Sequence, residues 1–312
     1  MNSEESLLDC LIVGGGAAGS MAAVYLARFQ RSALIVDAGH SRLAMIAKSR
    51  NVLGFPDGAS GADLLELLHA HASRYGVQRE LGCVDRIERL PDGGFEVLAG
   101  SLRWQTRTVL LATGARDHPP DVKNLESGLA DAVVRYCPVC DGYETRGKKV
   151  AVLGPGSHGQ SEAEFLAGFD NEVTWLSMGS QRGQPDEDFK LLKVGIRVID
   201  ALPKKLVCEP GHGVVLETHE GEFFQFDLLY SALGLKHPSQ LATDLGANAR
   251  SDGQLIVDQH MQTSIPGLYA AGDVAQGLNQ INVAAGHAAV ASTAIHNSIR
   301  QKVRRNLEGI QQ

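Results

Sequence analysis

Two stretches of this chain open alike: a short apolar run stops at glycine, and further glycines follow at fixed spacing. Leu11-Ile12-Val13 leads into Gly14-Gly15-Gly16-Ala17-Ala18-Gly19, and Val150-Ala151-Val152-Leu153 leads into Gly154-Pro155-Gly156-Ser157-His158-Gly159. In each, the first glycine permits a tight turn, the second lets backbone approach a phosphate, and the third brings a helix close onto its strand. The helix after Gly16 carries Ala18, Ala22, Tyr25, Leu26 and Phe29 at helical spacing, and its N-terminal amides and dipole suit a pyrophosphate. The next strand, Ala33 to Val36, ends at Asp37, about twenty residues on, where an acid accepts ribose hydroxyls. After Gly159 come a helix with Ala163, Leu166 and Phe169 and the strand Glu172 to Leu176. The apolar strand Val109-Leu110-Leu111 ends in Ala112-Thr113-Gly114, and Leu228-Leu229-Tyr230 ends in Ala232-Leu233-Gly234. The spacing predicts a duplicated nucleotide-binding unit of α/β class, the second copy interrupting the first.

Composition sets bounds on this. With 312 residues, 44% hydrophobic, the chain is long enough for two cores, and 35 glycines suit many tight turns. A net charge of −7 leaves no basic stripe for nucleic acid. The run Leu7 to Val13 is interrupted by Asp9 and stops at glycine, which reads as a buried strand rather than a signal peptide or membrane span; a cytoplasmic chain is expected. Of five cysteines, Cys10, Cys83 and Cys208 stand alone and are expected to be buried thiols. Cys137-Pro138-Val139-Cys140-Asp141-Gly142 is different, because thiols two residues apart can close into a small reducible ring. A zinc site would need a second ligand pair nearby, and the sequence has none, so no metal is expected. An inert pair of core thiols is disfavoured by the turn-forming Pro, Asp and Gly around it.

These residues together resemble the low-molecular-weight thioredoxin reductase family of flavoproteins over nearly the whole chain. The resemblance rests on the first glycine loop, Asn51 to Pro56, Ala112-Thr113-Gly114, the Cys137-x-x-Cys140-Asp141-Gly142 hexapeptide, Gly272-Asp273-Val274, and Gln280 ahead of the last helix. It implies two Rossmann-like, three-layer ββα domains, the second inserted into the first: an FAD-binding domain from 1–118 and 247–312, and a pyridine-nucleotide-type domain from 119–246 carrying the cysteines. It implies a homodimer acting on a thioredoxin-like protein or a small disulfide. Carried over by position, Gly14, Gly16, Ala17 and Ala18 contact the FAD pyrophosphate and Asp37 the adenosine ribose. Asn51, Thr113 and Gly114 line the flavin, Gly272 and Asp273 lie at the ribityl and phosphate region, and Gln280 with Ile281 meets the isoalloxazine edge. Cys140 is the thiol that takes electrons from flavin, Cys137 is the interchange thiol, and Asp141 manages the thiol protons.

The second loop departs from that family. Gly154, Gly156, Ser157 and His158 would form the nucleotide pocket, but Pro155 removes an amide from the cradle and His158 is bulky. NADPH-specific relatives carry a His-Arg-Arg run at the end of the following strand, whereas this chain has Ser177-Met178-Gly179. No acid occupies those positions either, so a ribose contact is expected to be missing, with Arg182 the nearest substitute cation. NADPH binding through other residues, a ferredoxin-type donor, or a second FAD in the vacated pocket are the donor routes. The histidines of the last helix, His287 and His296, are expected at the surface or a dimer contact. A dithiol oxidase passing electrons from thiols to oxygen, and a redox-sensing module without turnover, are the alternatives to a disulfide reductase.

Overall fold

The computed structural model describes residues 7–180, 190–209 and 211–309. The chain divides into two compact units: one runs to Ile46, resumes over Ser60–Arg116 and again from Lys236, and the other comprises Ala47–Ala59 and Asp117–Leu235. The stretch 236–246, given to the inserted domain on sequence, belongs to the first unit because Ala242 is buried in that unit's core, with Leu241 and Leu245 packed against it.

The first unit is built on the buried strand Leu8–Val13, longer than its apolar run suggests because Leu8 and Cys10 already pair with Thr106 and Thr108. Ala33–Asp37 flanks it on one side and Leu102–Leu111 on the other, both parallel. Gln78–Leu81 extends the sheet beyond Ala33–Asp37, in parallel. Leu102–Leu111 is long enough to serve two further ladders: its first half pairs antiparallel with Phe95–Ala99, and its second half pairs parallel with Leu268–Ala270. The turn at Pro91 to Gly94 joins Phe95–Ala99 to its other partner, Arg86–Arg89. One face of this sheet is covered by the helix Ala17–Arg28 and the final helix Ile281–Gly309. In the final helix Ala284, Ala288, Ala291, Ile295 and Ile299 are buried at helical spacing. Small residues let the two helices approach closely enough for the Ser292 hydroxyl to donate to the Ala22 carbonyl at 3.4 Å.

The second unit repeats the plan. Five parallel strands stand in the order Ile196–Ile199, Glu172–Leu176, Lys149–Leu153, Leu228–Ser231, Val134–Arg135. The helix Gly156–Ala167 follows its glycine loop as Ala17–Arg28 follows the first. A three-stranded antiparallel sheet, Lys205–Glu209, Gly213–Glu217 and Phe223–Phe226, matches the antiparallel strands of the first unit. Among the described residues, no helix is long and apolar enough to cross a membrane.

Candidate active site: a dithiol turn and two glycine loops

The first glycine loop is shaped by contacts that only glycine allows. Gly14 has φ +108, and a Cβ there would lie 2.3 Å from the Ala112 carbonyl oxygen. A Cβ on Gly19 would meet the Gly14 oxygen at 1.8 Å, so the helix sits tight against the strand end. Gly16 is the N-cap with no side chain capping it, and Ala17 and Ala18 form the first turn, which leaves the dipole end open to an anion. Asp37 is buried at its strand end, against Gly15. Its Oδ1 accepts from the Gly39 amide at 3.2 Å and its Oδ2 from Arg79 at 3.2 Å.

Other predicted residues of this unit gather on the same sheet end. The Thr113 hydroxyl donates to the Pro238 carbonyl at 2.9 Å, and Gly114 adopts φ +67. Gly272, φ +78, is packed so that a Cβ would come within 3.0 Å of Ala18 Cβ. Asp273 pairs with Arg42 at 3.3 Å. Gln280 precedes the final helix, its carbonyl accepting from the Ala284 amide at 2.9 Å, and Ile281 begins it. The Asn279 side-chain oxygen is buried without a partner among the described residues. Asn51 is not in this unit: its Oδ1 accepts from the Ser49 hydroxyl at 3.2 Å within Ala47–Ala59.

Four residues here carry no obvious mark in the sequence. His69 places Nε2 2.7 Å from the Gly15 carbonyl, and Arg42 neutralises Asp273. His287, expected at the surface or a dimer contact, is half-buried, and burial pushes its pKa down. His296 is likewise packed within the chain, its Nδ1 accepting from Arg31 at 3.1 Å and its ring 4.9 Å from that of Phe29.

In the second unit Cys137 and Cys140 form a disulfide with Cα atoms 5.3 Å apart. Cys137 is the N-cap of the short helix Pro138–Asp141, whose Pro stands in the first turn where its missing N–H costs nothing. Asp141 follows at once, and it is held from two sides. Tyr230, fully buried in Leu228–Ser231, donates its hydroxyl to Oδ1 at 2.6 Å, and Arg135 pairs with Oδ2 at 3.1 Å. Burial outweighs both, so the Asp141 carboxyl is pushed above the usual range and takes a proton more readily. The Tyr230 hydroxyl is pushed up too, by burial and by the Asp141 charge, and stays a donor.

The lone cysteines differ from one another. Cys10 and Cys208 are buried, with burial raising the Cys10 pKa to about 12 and that of Cys208 in the same direction. Cys83 is exposed, contrary to expectation, because it lies in the connection between Gln78–Leu81 and Arg86–Arg89.

The second glycine loop has the same architecture as the first. A Cβ on Gly154 would lie 2.3 Å from the Ala232 oxygen, and Trp175 Nε1 donates to the Gly154 carbonyl at 2.8 Å. Gly156 has φ +63 with open space around it, and Ser157 and His158 are exposed. His158 Nε2 lies 3.4 Å from Glu162 Oε1, while burial first and the Asp117 charge second raise the Glu162 pKa to about 7. At the strand end Ser177 is buried, and its hydroxyl donates to Asp200, which follows the neighbouring strand. Arg182 lies outside the described residues.

The family model for pyridine nucleotide-disulphide oxidoreductases matches residues 8–288. The chain is 28% identical to the thioredoxin reductase of Bacillus subtilis (strain 168), over 96% of this chain and 97% of that one. It is 34% identical to a component of the alkyl hydroperoxide reductase of Pseudomonas putida over 94% of its own length, and spans 58% of that relative. The crystal structure of thioredoxin reductase from Streptococcus pyogenes MGAS5005 matches at a TM-score of 0.86 and 29% identity, covering 96% of this chain and all of the other. A dithiol turn beside a half-buried carboxyl, lying in sequence between two glycine loops of one plan, agrees with those matches: the chain belongs to the pyridine nucleotide-disulphide oxidoreductases and is a thioredoxin-reductase-like flavoprotein.

Proposed function

We propose that this oxidoreductase uses FAD and the Cys137/Cys140 pair to reduce an external disulfide, that of a thioredoxin-like protein or a small molecule. The observation that carries the reading is the closed Cys137–Cys140 ring followed directly by Asp141, whose carboxyl is gripped by Tyr230 and Arg135. The first glycine loop fits a dinucleotide: Gly14, Gly16, Ala17 and Ala18 would hold the pyrophosphate and Asp37 the ribose, with Thr113, Gly114, Gly272, Asp273, Gln280 and Ile281 around the rest. Asn51, expected to line the flavin, lies in Ala47–Ala59 of the other unit. FAD, when bound, supplies two-electron chemistry.

What the protein's own groups do follows from thiol chemistry. Opening the Cys137–Cys140 disulfide takes two electrons and two protons and leaves two thiols. Asp141, with its raised pKa, is suited to hold and return one of those protons. The Cys137 thiolate then attacks the external disulfide, forming a mixed disulfide and releasing one substrate thiol. Cys140 attacks Cys137 Sγ, releases the second substrate thiol and restores the ring. Ser177, Met178 and Gly179 offer no cation for a 2′-phosphate at those positions, which favours a ferredoxin-type protein or a second flavin as donor, with NADPH held by other residues as the alternative. The family plan suggests a homodimer.

Cys140→Ser should trap a mixed disulfide between Cys137 and an oxidised thioredoxin-like protein, seen by mass spectrometry without reductant, and Cys137→Ser should trap none. Absence of an adduct from Cys140→Ser with both protein and small disulfides would sink the reading. The same missing cation favours one second reading, in which substrate thiols are oxidised to a disulfide and oxygen is reduced to hydrogen peroxide. Oxygen uptake on adding a dithiol, with peroxide formed in equal amount, would identify that direction.

A further inference from the structure

The two parallel strands that end at the second glycine loop are in register, Leu176 opposite Ile199, so the residues that follow them stand side by side. Those residues are Ser177 and Asp200. The Ser177 amide donates to the Ile199 carbonyl at 3.2 Å, and its buried hydroxyl donates to Asp200 Oδ1. The turn then continues through Met178 (φ +56) and Gly179 (φ +81) to Ser180, whose hydroxyl oxygen accepts from the Gly156 amide at 2.9 Å. One turn thus spans from the Asp200 carboxylate to the glycine loop, and the space over Gly156 is open.

We propose that Asp200 reads the ribose at this pocket, making it a site for an adenosine diphosphate group with a free 2′-hydroxyl and excluding a 2′-phosphate. A carboxylate accepts from ribose hydroxyls and repels a phosphate dianion, whereas a 2′-phosphate calls for arginine. The acid comes from the third strand of the unit instead of the second, which is why the residues directly after Leu176 do not reveal it. Ser177 donates to one carboxylate oxygen and Asp200 makes a further interaction besides, out of the about four lone-pair sites that a carboxylate offers. Both a non-phosphorylated nicotinamide dinucleotide and the adenine half of a second flavin present this group.

The inference rests on the chain being a nucleotide-linked disulfide oxidoreductase, and it fails independently of that reading. Loss of cysteine chemistry would show in the trapping experiment and leave nucleotide binding untouched. The test is calorimetric titration of the full chain, saturated with FAD and with its disulfide closed, by ADP and by 2′,5′-ADP. ADP should bind tighter by about tenfold or more. Asp200→Asn should shrink that ratio to about threefold or less, while Ser177→Ala, which keeps the charge, should preserve the preference. Asp200→Ser serves as the second removal if the Asn variant does not fold. NADH and FAD, titrated under the same conditions, separate the two sources; either one binding supports the proposal. Equal or tighter binding of 2′,5′-ADP, no binding of any of these nucleotides, or an unchanged ratio in both Asp200 variants would overturn it.

Discussion

Asp141 is the residue whose surroundings decide most about the dithiol. Its carboxyl is drawn one way by burial and the other by Arg135 and Tyr230, with burial prevailing. Tyr230→Phe removes the donor at 2.6 Å that favours the charged form, so the Asp141 pKa should rise further. The sign follows from that: a pH profile of anaerobic dithiol–disulfide exchange limited by the ionised carboxylate should shift to higher pH in the variant. Loss of one charge-assisted hydrogen bond should also cost about 1–3 kcal/mol in denaturant unfolding. An unmoved profile would show that Asp141 does not manage the protons. Of this arrangement the sequence displays Cys137, Cys140 and Asp141, because they are adjacent. Arg135 stands two residues ahead of the turn without any spacing that marks it. Tyr230 is far off in the chain, although a lone tyrosine in the apolar run Leu228-Leu229-Tyr230 already asks for a partner for its hydroxyl.

The elements that carry the loops are legible for a local reason, since a strand, three glycines and a helix fall within a few turns of chain. The lengths are less so. The final helix begins at Ile281, ahead of the alanine-rich run from Ala284, because a helix's first turn is set by what lies before it and not by its buried face. Asp200 escapes a strand-by-strand reading because its place depends on the register between two strands more than twenty residues apart in sequence. Within the elements the glycines are not interchangeable. Gly14 combines φ +108 with a Cβ position 2.3 Å from a backbone carbonyl, so neither torsion nor space tolerates a side chain. Gly156, with φ +63 and open space, faces torsional strain alone. Gly14→Ala should therefore purify with little or no bound flavin, read from its visible absorbance. Gly156→Ala should keep its flavin and lose about 1–2 kcal/mol at most. Full flavin content in Gly14→Ala would contradict the assignment of that loop to the pyrophosphate.

At the scale of the whole molecule the duplication means that each unit brings its own core and its own response to pH. Glu162 is the sharpest instance in the second unit. Its Oε2 is buried without a partner among the described residues, and burial together with Asp117 raises its pKa to about 7 from an unfolded value near 4.5. A carboxyl whose folded pKa lies above its unfolded one binds protons more readily in the folded state. Its contribution is therefore fully present below about pH 4.5, declines as pH rises, and is lost above about 7. The neutral Glu162→Gln variant lacks that titration and keeps an amide able to pair with His158. Relative to it, the native chain should lose stability across this window, by about 1–3 kcal/mol at pH 8. Denaturant unfolding of both proteins at pH 5 and pH 8 measures the difference, with the gap opening at the higher pH. Because Glu162 lies in Asp117–Leu235, the effect should appear in the transition that exposes the Trp175 indole of that unit and spare the fluorescence of Trp104 in the other. A gap that is the same at both pH values would mean that the carboxyl is charged at no cost throughout, and that the space around Oε2 is wet.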